Sequence, residues 1–237
     1  MKKWLVMSVF LSLAMYGNAQ VVEEDYSDVE LWTGVSLKYD LHKRLSFKLE
    51  EQLRLKDNLT TFSQLLTEGT LTYDPGKVDF LKPLELSVGS RYVVDNDTEG
   101  KQQGIEYFFR YNVDVDYKFD FGRFSVDYRF RFQSRNQLGV AALEGDLPVN
   151  DIRHRIGFHY KIRDWKLDPK LQVELFNRNN DQTTYNVSRF RVRLGSDYSF
   201  VKRQDVDFFI MYEQDLNEAI PERVYGLGLS YEFDLKK

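Results

Sequence analysis

The chain alternates between apolar and polar residues over long stretches, from residue 31 almost to its end. The clearest stretch is Ile105–Phe119, in which every second residue is Ile, Tyr, Phe or Val, while the intervening positions include Glu106, Arg110 and Asp114. Successive side chains of a β-strand leave opposite faces of the pleat, so this period predicts strands with one apolar and one polar face. Eleven such segments can be counted, beginning near Leu31, Leu45, Leu65, Leu84, Ile105, Phe124, Ile152, Leu167, Phe190, Val206 and Tyr225.

The length of these segments indicates a membrane protein. They run for roughly 10–13 residues, whereas strands of soluble proteins are most often ~5–6 residues long. A strand that crosses a bilayer at a tilt needs ~9–11 residues. The polar face is dense in charges of both signs, as the lumen of a barrel requires, and Glu51 is the clearest charge on the apolar face. We therefore predict an all-β, transmembrane, antiparallel up-and-down β-barrel, with a soluble barrel or sandwich as the alternative.

The connections between the segments differ in length at the two ends. Short ones are Leu41–Arg44, Asp120–Arg123, Arg163–Trp165 and Val201–Asp205, and the mostly longer ones are Asp57–Thr61, Asp95–Gly104, Ser134–Asp151, Asn177–Thr184 and Leu216–Arg223. Outer-membrane barrels have short periplasmic turns and longer extracellular loops. Aromatic residues collect beside the short turns, among them Tyr117, Phe119, Phe124, Tyr160 and Trp165. Such rings suit a membrane–water interface, which explains an aromatic content of 15%.

The number of strands does not follow directly from the pattern. Bacterial single-chain barrels have an even number of strands, because the first and last strands then pair antiparallel. Eleven segments are visible, so we predict twelve strands, with Val21–Tyr26 supplying the additional one. Ten strands, with one segment outside the wall, is the alternative.

The N-terminus has the features of a secretory signal peptide. Lys2 and Lys3 precede the apolar run Trp4–Ala14, and small residues precede a cleavage position after Ala19. The run is too short for a transmembrane helix, which needs ~20 apolar residues. We therefore expect residues 1–19 to be the signal peptide and residues 20–237 to form the barrel.

Composition excludes several classes of function. The chain has no cysteine, which excludes disulfides, thiolate metal sites and thiol nucleophiles. A net charge of −4 argues against nucleic-acid binding.

The end strand Gly228–Phe233 is similar to the C-terminal signal of outer-membrane barrels. The expected partners are therefore outer-membrane lipid and the barrel-assembly machinery, and the expected location is the bacterial outer membrane.

Three stretches of the sequence carry a resemblance to a known family. They are Leu45–Asn58 (LSFKLEEQLRLKDN), the alternating arginines of Arg189–Arg193, and the glycines at Gly226 and Gly228. The chain resembles the family called domain of unknown function 2490. That resemblance implies a signal-bearing, Gram-negative outer-membrane barrel, and it implies no activity, because the family has none assigned.

Arginines on the polar face form the main candidate site. We expect a basic cluster in the lumen near the longer loops, consisting of Arg54, Arg91, Arg110, Arg129, Arg131, Arg153, Arg155, Arg189, Arg191 and Arg193, with Arg178 nearby. Fewer acids are expected there, namely Glu106, Glu174, Glu213 and Asp215, whereas Asp114, Asp116 and Asp127 are expected in the other half. Two interpretations stay open: a closed, salt-bridged structural or surface barrel, and a narrow porin-like pore for small anionic solutes.

An enzymatic alternative rests on three polar residues. Ser134, His154 and Asn177 lie on the outward face near the longer loops of three consecutive strands, and such a set is similar to an outer-membrane phospholipase. A non-enzymatic barrel is the main expectation. No cofactor motif is present, and no metal site is predicted, because His154 and His159 are an odd number of residues apart and face opposite sides.

Overall fold

The computed structural model describes residues 27–76, 83–98, 103–140, 148–179, 185–218 and 221–235. The predicted signal peptide, residues 1–19, and the predicted strand Val21–Tyr26 lie outside the described residues. Within the described ranges, no helix is long and apolar enough to cross a membrane.

Eleven strands of 12 to 18 residues make up the described structure. They are β1 (Ser27–His42), β2 (Leu45–Lys56), β3 (Thr61–Tyr73), β4 (Leu84–Asp97), β5 (Gly104–Phe121), β6 (Phe124–Gln137), β7 (Val149–Tyr160), β8 (Leu167–Asn179), β9 (Tyr185–Val201), β10 (Gln204–Asp215) and β11 (Arg223–Leu235). Each corresponds to one of the alternating segments of the sequence, so the prediction of an all-β fold is confirmed.

The strands form one closed barrel in which every strand pairs with its neighbours in the chain. The pairs from β1–β2 to β10–β11 are antiparallel, whereas β1 pairs with β11 in parallel, from Ser27 opposite Arg223 to Tyr39 opposite Leu235. The prediction of twelve strands is wrong for the described residues, and so is the alternative of ten. Direct pairing of β1 with β11 leaves no gap for a twelfth strand, and an odd number of alternating strands can close only through a parallel pair.

The two ends of the barrel differ in their connections. One end, which we call the short-turn end, carries the two-residue turns 43–44, 122–123 and 202–203. The other end, the long-loop end, carries the connections 57–60, 98–103, 138–148, 180–184 and 216–222. Three of the predicted loops are clearly shorter than expected, because β4 continues to Asp97, β6 to Gln137 and β8 to Asn179.

Aromatic side chains gather at the short-turn end. Phe124 and Tyr160 are in contact with ring centroids 4.5 Å apart, and Phe119 stacks on Phe121 at 6.1 Å. Gly122, in the turn between β5 and β6, has a φ of +65°. A two-residue hairpin turn requires such a φ, and glycine adopts it without strain. Phe121 is 64% exposed, so this ring faces the surroundings of the barrel.

The outer face of the wall is apolar and the inner face is charged. Large apolar side chains are exposed around the wall, among them Val88 at 53%, Ile210 at 56% and Leu229 at 52%. Glu51 is an outward carboxylate, and it accepts a hydrogen bond of 2.8 Å from the Thr67 hydroxyl on the neighbouring strand. The interior of the molecule is therefore the polar lumen, where the candidate site lies.

Candidate functional site

A cavity of about 1330 Å³ occupies the lumen. It reaches the short-turn end, where His42, Lys43 and Arg44 line it, and extends along the barrel to the arginines. Arg135 and Arg178 line this cavity. So do all ten arginines of the predicted basic cluster, which are Arg54, Arg91, Arg110, Arg129, Arg131, Arg153, Arg155, Arg189, Arg191 and Arg193. The structure therefore brings the predicted cluster into one space.

Most of these arginines are held by carboxylates on neighbouring strands. Arg131 donates two hydrogen bonds of 2.7 and 2.6 Å to Asp114, which is only 2% exposed. Arg153 donates to Glu174 at 3.0 and 2.7 Å, and Arg191 donates to the same carboxylate at 3.3 Å. The remaining pairs join Arg91 to Glu68, Arg129 to Asp116, Arg155 to Asp127, Arg178 to Asp151, Arg189 to Glu213 and Asp215, and Arg191 to Glu213.

The expectation of few acidic side chains in the half of the lumen near the longer loops is wrong. Asp114 lies directly opposite Arg131, and Asp116 directly opposite Arg129, so acids expected in the other half pair with the cluster. Alternation along one strand gives the face of a residue but not its cross-strand register, which is why this pairing was not predicted.

Three of the ten arginines, Arg54, Arg110 and Arg193, have no carboxylate partner within the part of the chain that the structure describes. Arg54 donates to the neutral amides of Gln52, at 2.9 and 2.7 Å, and Gln64, at 3.2 Å. Arg110 Nε and Arg193 Nε are buried and lack a hydrogen-bond acceptor. Arg135, outside the predicted cluster, also lines the cavity and has no carboxylate partner among the described residues.

The register places like charges side by side in the lumen. Arg110 lies directly opposite Arg91 on β4 and opposite Arg135 on β6. Like charges directly opposite one another destabilise a sheet. The cavity is lined by 17 lysines and arginines against 11 aspartates and glutamates, although the whole chain carries −4. The side chains that line the cavity therefore carry an excess of positive charge, which three further carboxylates behind the lining, Asp127, Glu213 and Asp215, offset in part.

Sequence reasoning did not find Arg135, because the loop was expected to begin at Ser134. Its guanidinium lies 4.7 Å from the ring centre of Phe108. The signal that could have found it is the continued alternation of charged and polar residues at Arg129, Arg131, Gln133 and Arg135.

Apolar side chains interrupt the polar inner face at two places. One cluster consists of Trp32, Met211 and Val224, with Phe209 packed against it, and a second of Leu66, Val93 and Phe108. These six clustered side chains point inward on their strands, and each is at most 8% exposed. We call them the apolar layer. The arginine-lined cavity extends past this level to Arg178, which is next to the last residue of β8 at the long-loop end.

The structure does not bring the enzymatic candidates together. His154 lies opposite Phe130 on β6, four residues from Ser134, which is about 13 Å along the strand. The His154 ring is hydrogen-bonded to the Tyr128 hydroxyl at 2.8 Å, and the Asn177 amide donates to a backbone carbonyl of β7 at 3.3 Å. Ser134 is only 1% exposed. The cross-strand register separates the three side chains, so this hypothesis lacks structural support.

His159, the second histidine of β7, faces the lumen and is hydrogen-bonded to the Asp127 carboxylate at 2.6 Å. Within the described ranges, no three His, Asp or Glu side chains are grouped so that they could hold a metal ion.

Comparison with known proteins gives a family and similarity to solved structures. The family described as "Protein of unknown function (DUF2490)" matches residues 29–223. No curated protein matches the chain. Among solved structures, the chain is similar to an anion-selective porin from Comamonas acidovorans, with 11% identity, a TM-score of 0.39, and coverage of 81% of this chain and 53% of the porin. The chain thus spans about half the length of that porin, and a likeness of this size carries no information on function.

Proposed function

The chain belongs to the DUF2490 family of proteins of unknown function, and we propose that it is a non-enzymatic outer-membrane barrel that provides a gated path for small anionic solutes. The proposal includes a Gram-negative outer-membrane location, a cleaved signal peptide at residues 1–19, and recognition by the barrel-assembly machinery through β11.

The outer surface supports a membrane location. Exposed apolar side chains surround the wall, and monomeric soluble proteins rarely expose apolar patches larger than a few hundred Å². Val35 and Ile210, for example, are 58% and 56% exposed on different parts of the wall. The aromatic rings at the short-turn end, such as Phe121 and Phe124, suit the boundary between hydrocarbon and water. Lipid is therefore the expected neighbour of this face.

The observation that carries the anion proposal is the excess of positive charge in the lumen. Seventeen basic and eleven acidic side chains line one cavity, and Arg54, Arg110 and Arg193 lack carboxylate partners among the described residues. A confined space lined by one sign of charge concentrates ions of the opposite sign, and basic rings are one basis of anion selectivity. Anions would enter from the short-turn end, where the cavity begins.

The apolar layer supports a gate within the lumen. Leu66, Val93 and Phe108 come from neighbouring strands and point into the lumen, two residues along their strands from Glu68, Arg91 and Arg110. A movement of these side chains would widen the path, and their truncation should do the same.

Planar-bilayer recording tests this function. We expect the wild-type barrel to be silent most of the time, and the double variant L66A/F108A to conduct with a preference for anions. Leu171→Ala is the matched control, because Leu171 is 40% exposed on the outer face and its truncation leaves the lumen unchanged. A folded L66A/F108A barrel that stays silent, or that prefers cations, would overturn the proposal.

A second candidate function is a closed structural or surface barrel, and the density of ion pairs in the lumen favours it. Small barrels fill their interiors with side chains and conduct little. This candidate predicts silence of both the wild type and L66A/F108A. The phospholipase alternative predicts lipid hydrolysis that Ser134→Ala abolishes, and the separation of Ser134 from His154 argues against it.

A further inference from the structure

Three arginines of the predicted cluster lack carboxylate partners among the described residues, and they come from three sides of the barrel. Arg54 is on β2, Arg110 on β5 and Arg193 on β9, so at least two strands separate each from the next. All three line the same cavity at the level of the apolar layer, with Arg54 directly opposite Trp32 and Arg193 directly opposite Met211. Their charges are therefore directed into one space from different directions.

One indole holds two of these arginines in place. The guanidinium carbons of Arg54, Arg191 and Arg193 lie 3.7, 4.9 and 5.0 Å from the ring centre of Trp32. Only Arg191 among them is paired with carboxylates. Trp32 is 3% exposed, so its ring is covered and serves as a support for the cations.

Arg54 and Arg193 differ in how many of their donors are free. A guanidinium has five N–H groups in its plane, and contact with an aromatic face uses none of them as a hydrogen bond. Arg54 already donates three hydrogen bonds to Gln52 and Gln64, so two of its N–H groups are left for an anion. Arg193 also lies 4.4 Å from the ring centre of Phe209, and its Nε has no acceptor. Arg193 is thus oriented by two aromatic rings with its hydrogen-bonding edge unsatisfied.

Arg110 extends this arrangement across the lumen. It has no carboxylate among the described residues, and Arg91 and Arg135 flank it on the adjacent strands. Arg54 is near enough to Arg91 and Arg110 for their charges to act on it. The three uncompensated cations thus belong to one electrostatic neighbourhood.

Uncompensated cations in the buried part of a lumen require a counter-anion, because a partly desolvated charge without a partner is costly. Guanidinium forks match the oxygen atoms of phosphate-type anions, and more than one unpaired arginine favours a ligand with more than one negative charge. We propose that Arg54, Arg110 and Arg193 form a binding site for a divalent oxyanion of the phosphate type, either free phosphate or a phosphate monoester. This proposal rests on the proposed function, which it extends by naming the ligand class.

Isothermal titration calorimetry on the detergent-solubilised barrel tests the site. The probes are inorganic phosphate, glycerol phosphate and chloride at constant ionic strength. We expect saturable phosphate binding in the presence of excess chloride, and the glycerol phosphate titration decides between free phosphate and a monoester. Binding of neither phosphate probe, or equal binding of chloride, would overturn the proposal.

Variants connect the binding to the named residues. R54Q and R193Q should each weaken phosphate binding by about ten- to a hundredfold, as expected for the loss of a charge-assisted hydrogen bond. R54K retains the charge without the fork and should recover part of the affinity. R163Q is the matched control, because Arg163 is 77% exposed in a turn and its removal lowers the net charge equally. Equal weakening in R163Q would show a general charge effect and refute the site.

The binding and conductance experiments together distinguish failure of the phosphate site from failure of the anion path. Phosphate binding with no conductance in the folded L66A/F108A variant would refute the path, and the occupied site would then belong to a closed barrel. Anion conductance without saturable phosphate binding would refute the site and leave the path. Heat-modified mobility in gels, measured on every variant, shows that each has folded into a barrel.

Discussion

The ion pair between Asp114 and Arg131 offers a direct test of how far water is excluded from the lumen around it. Asp114 is 2% exposed and accepts two hydrogen bonds of 2.7 and 2.6 Å from Arg131. Asp114→Asn keeps the shape of the side chain but removes its charge, which leaves Arg131 without its counter-ion. Removing one partner of a buried ion pair costs about 3–5 kcal/mol, so we expect D114N to lower the free energy of unfolding by about that amount.

The double variant D114N/R131M separates the cost of an orphaned charge from the value of the pair. Replacing both partners removes the unpaired charge, and such replacements are often far less costly than either single change. We expect the double variant to lose about 2 kcal/mol less than the sum of D114N and R131M, which is within the range of coupling energies for residues in contact. Additive effects would show that the two side chains do not interact.

Equilibrium unfolding by urea, from lipid vesicles and followed by tryptophan fluorescence, measures these differences. Asp164→Asn is the matched control, because the Arg163–Asp164 pair lies in a turn, 77% and 90% exposed, with 3.7 Å between its charged atoms. Asp164 has a φ of +60°, which Asn tolerates as well as Asp does. We expect D164N to change the free energy of unfolding by no more than about 1 kcal/mol.

A small effect of D114N would refute the reasoning. If D114N and D164N both cost less than about 1 kcal/mol, water and salt screen the Asp114–Arg131 pair as they screen a surface pair. The part of the lumen around this pair would then be as wet as the protein surface.

Two further predictions test the closure and packing of the wall. Because the chain has no cysteine, S27C and L235C can each be labelled by a membrane-impermeant thiol reagent. Parallel pairing of β1 with β11 puts these two residues at opposite ends of the barrel, so only one of them should react in intact cells. Equal reaction of both would contradict the eleven-strand barrel. Gly228→Ala should lower the free energy of unfolding by about 1–3 kcal/mol, because its methyl group would overlap the Phe209 ring, whereas Gly69→Ala, with only an ordinary contact, should cost less in the same urea assay.

The strands themselves were predictable because alternation is a local property of the sequence. The segment Ile105–Phe119 was predicted as a strand and lies within β5, Gly104–Phe121. Each side chain on such a strand faces either the surroundings or the lumen, and its polarity indicates which. The inward direction of the ten arginines follows from the same rule.

Closure and register were not predictable in this way. The alternation of β1 and β11 is the same whether the two strands pair in parallel or antiparallel, so the pattern could not show that eleven strands close the barrel. The same holds for the pairing of Asp114 with Arg131, which depends on how β5 and β6 are aligned. Both properties arise from contacts between strands rather than from the pattern within one.

The exceptions to the alternation carry the information about the lumen. Leu65–Leu66, Phe108–Phe109 and Phe208–Phe209 are apolar doublets, in which one side chain must face outward and the other inward. An inward apolar residue excludes water, and an inward aromatic ring can also hold a guanidinium, as Phe209 does with Arg193. Phe209, which packs against the apolar layer, thus also orients an unpaired arginine. A movement of this ring would therefore disturb the phosphate-type site.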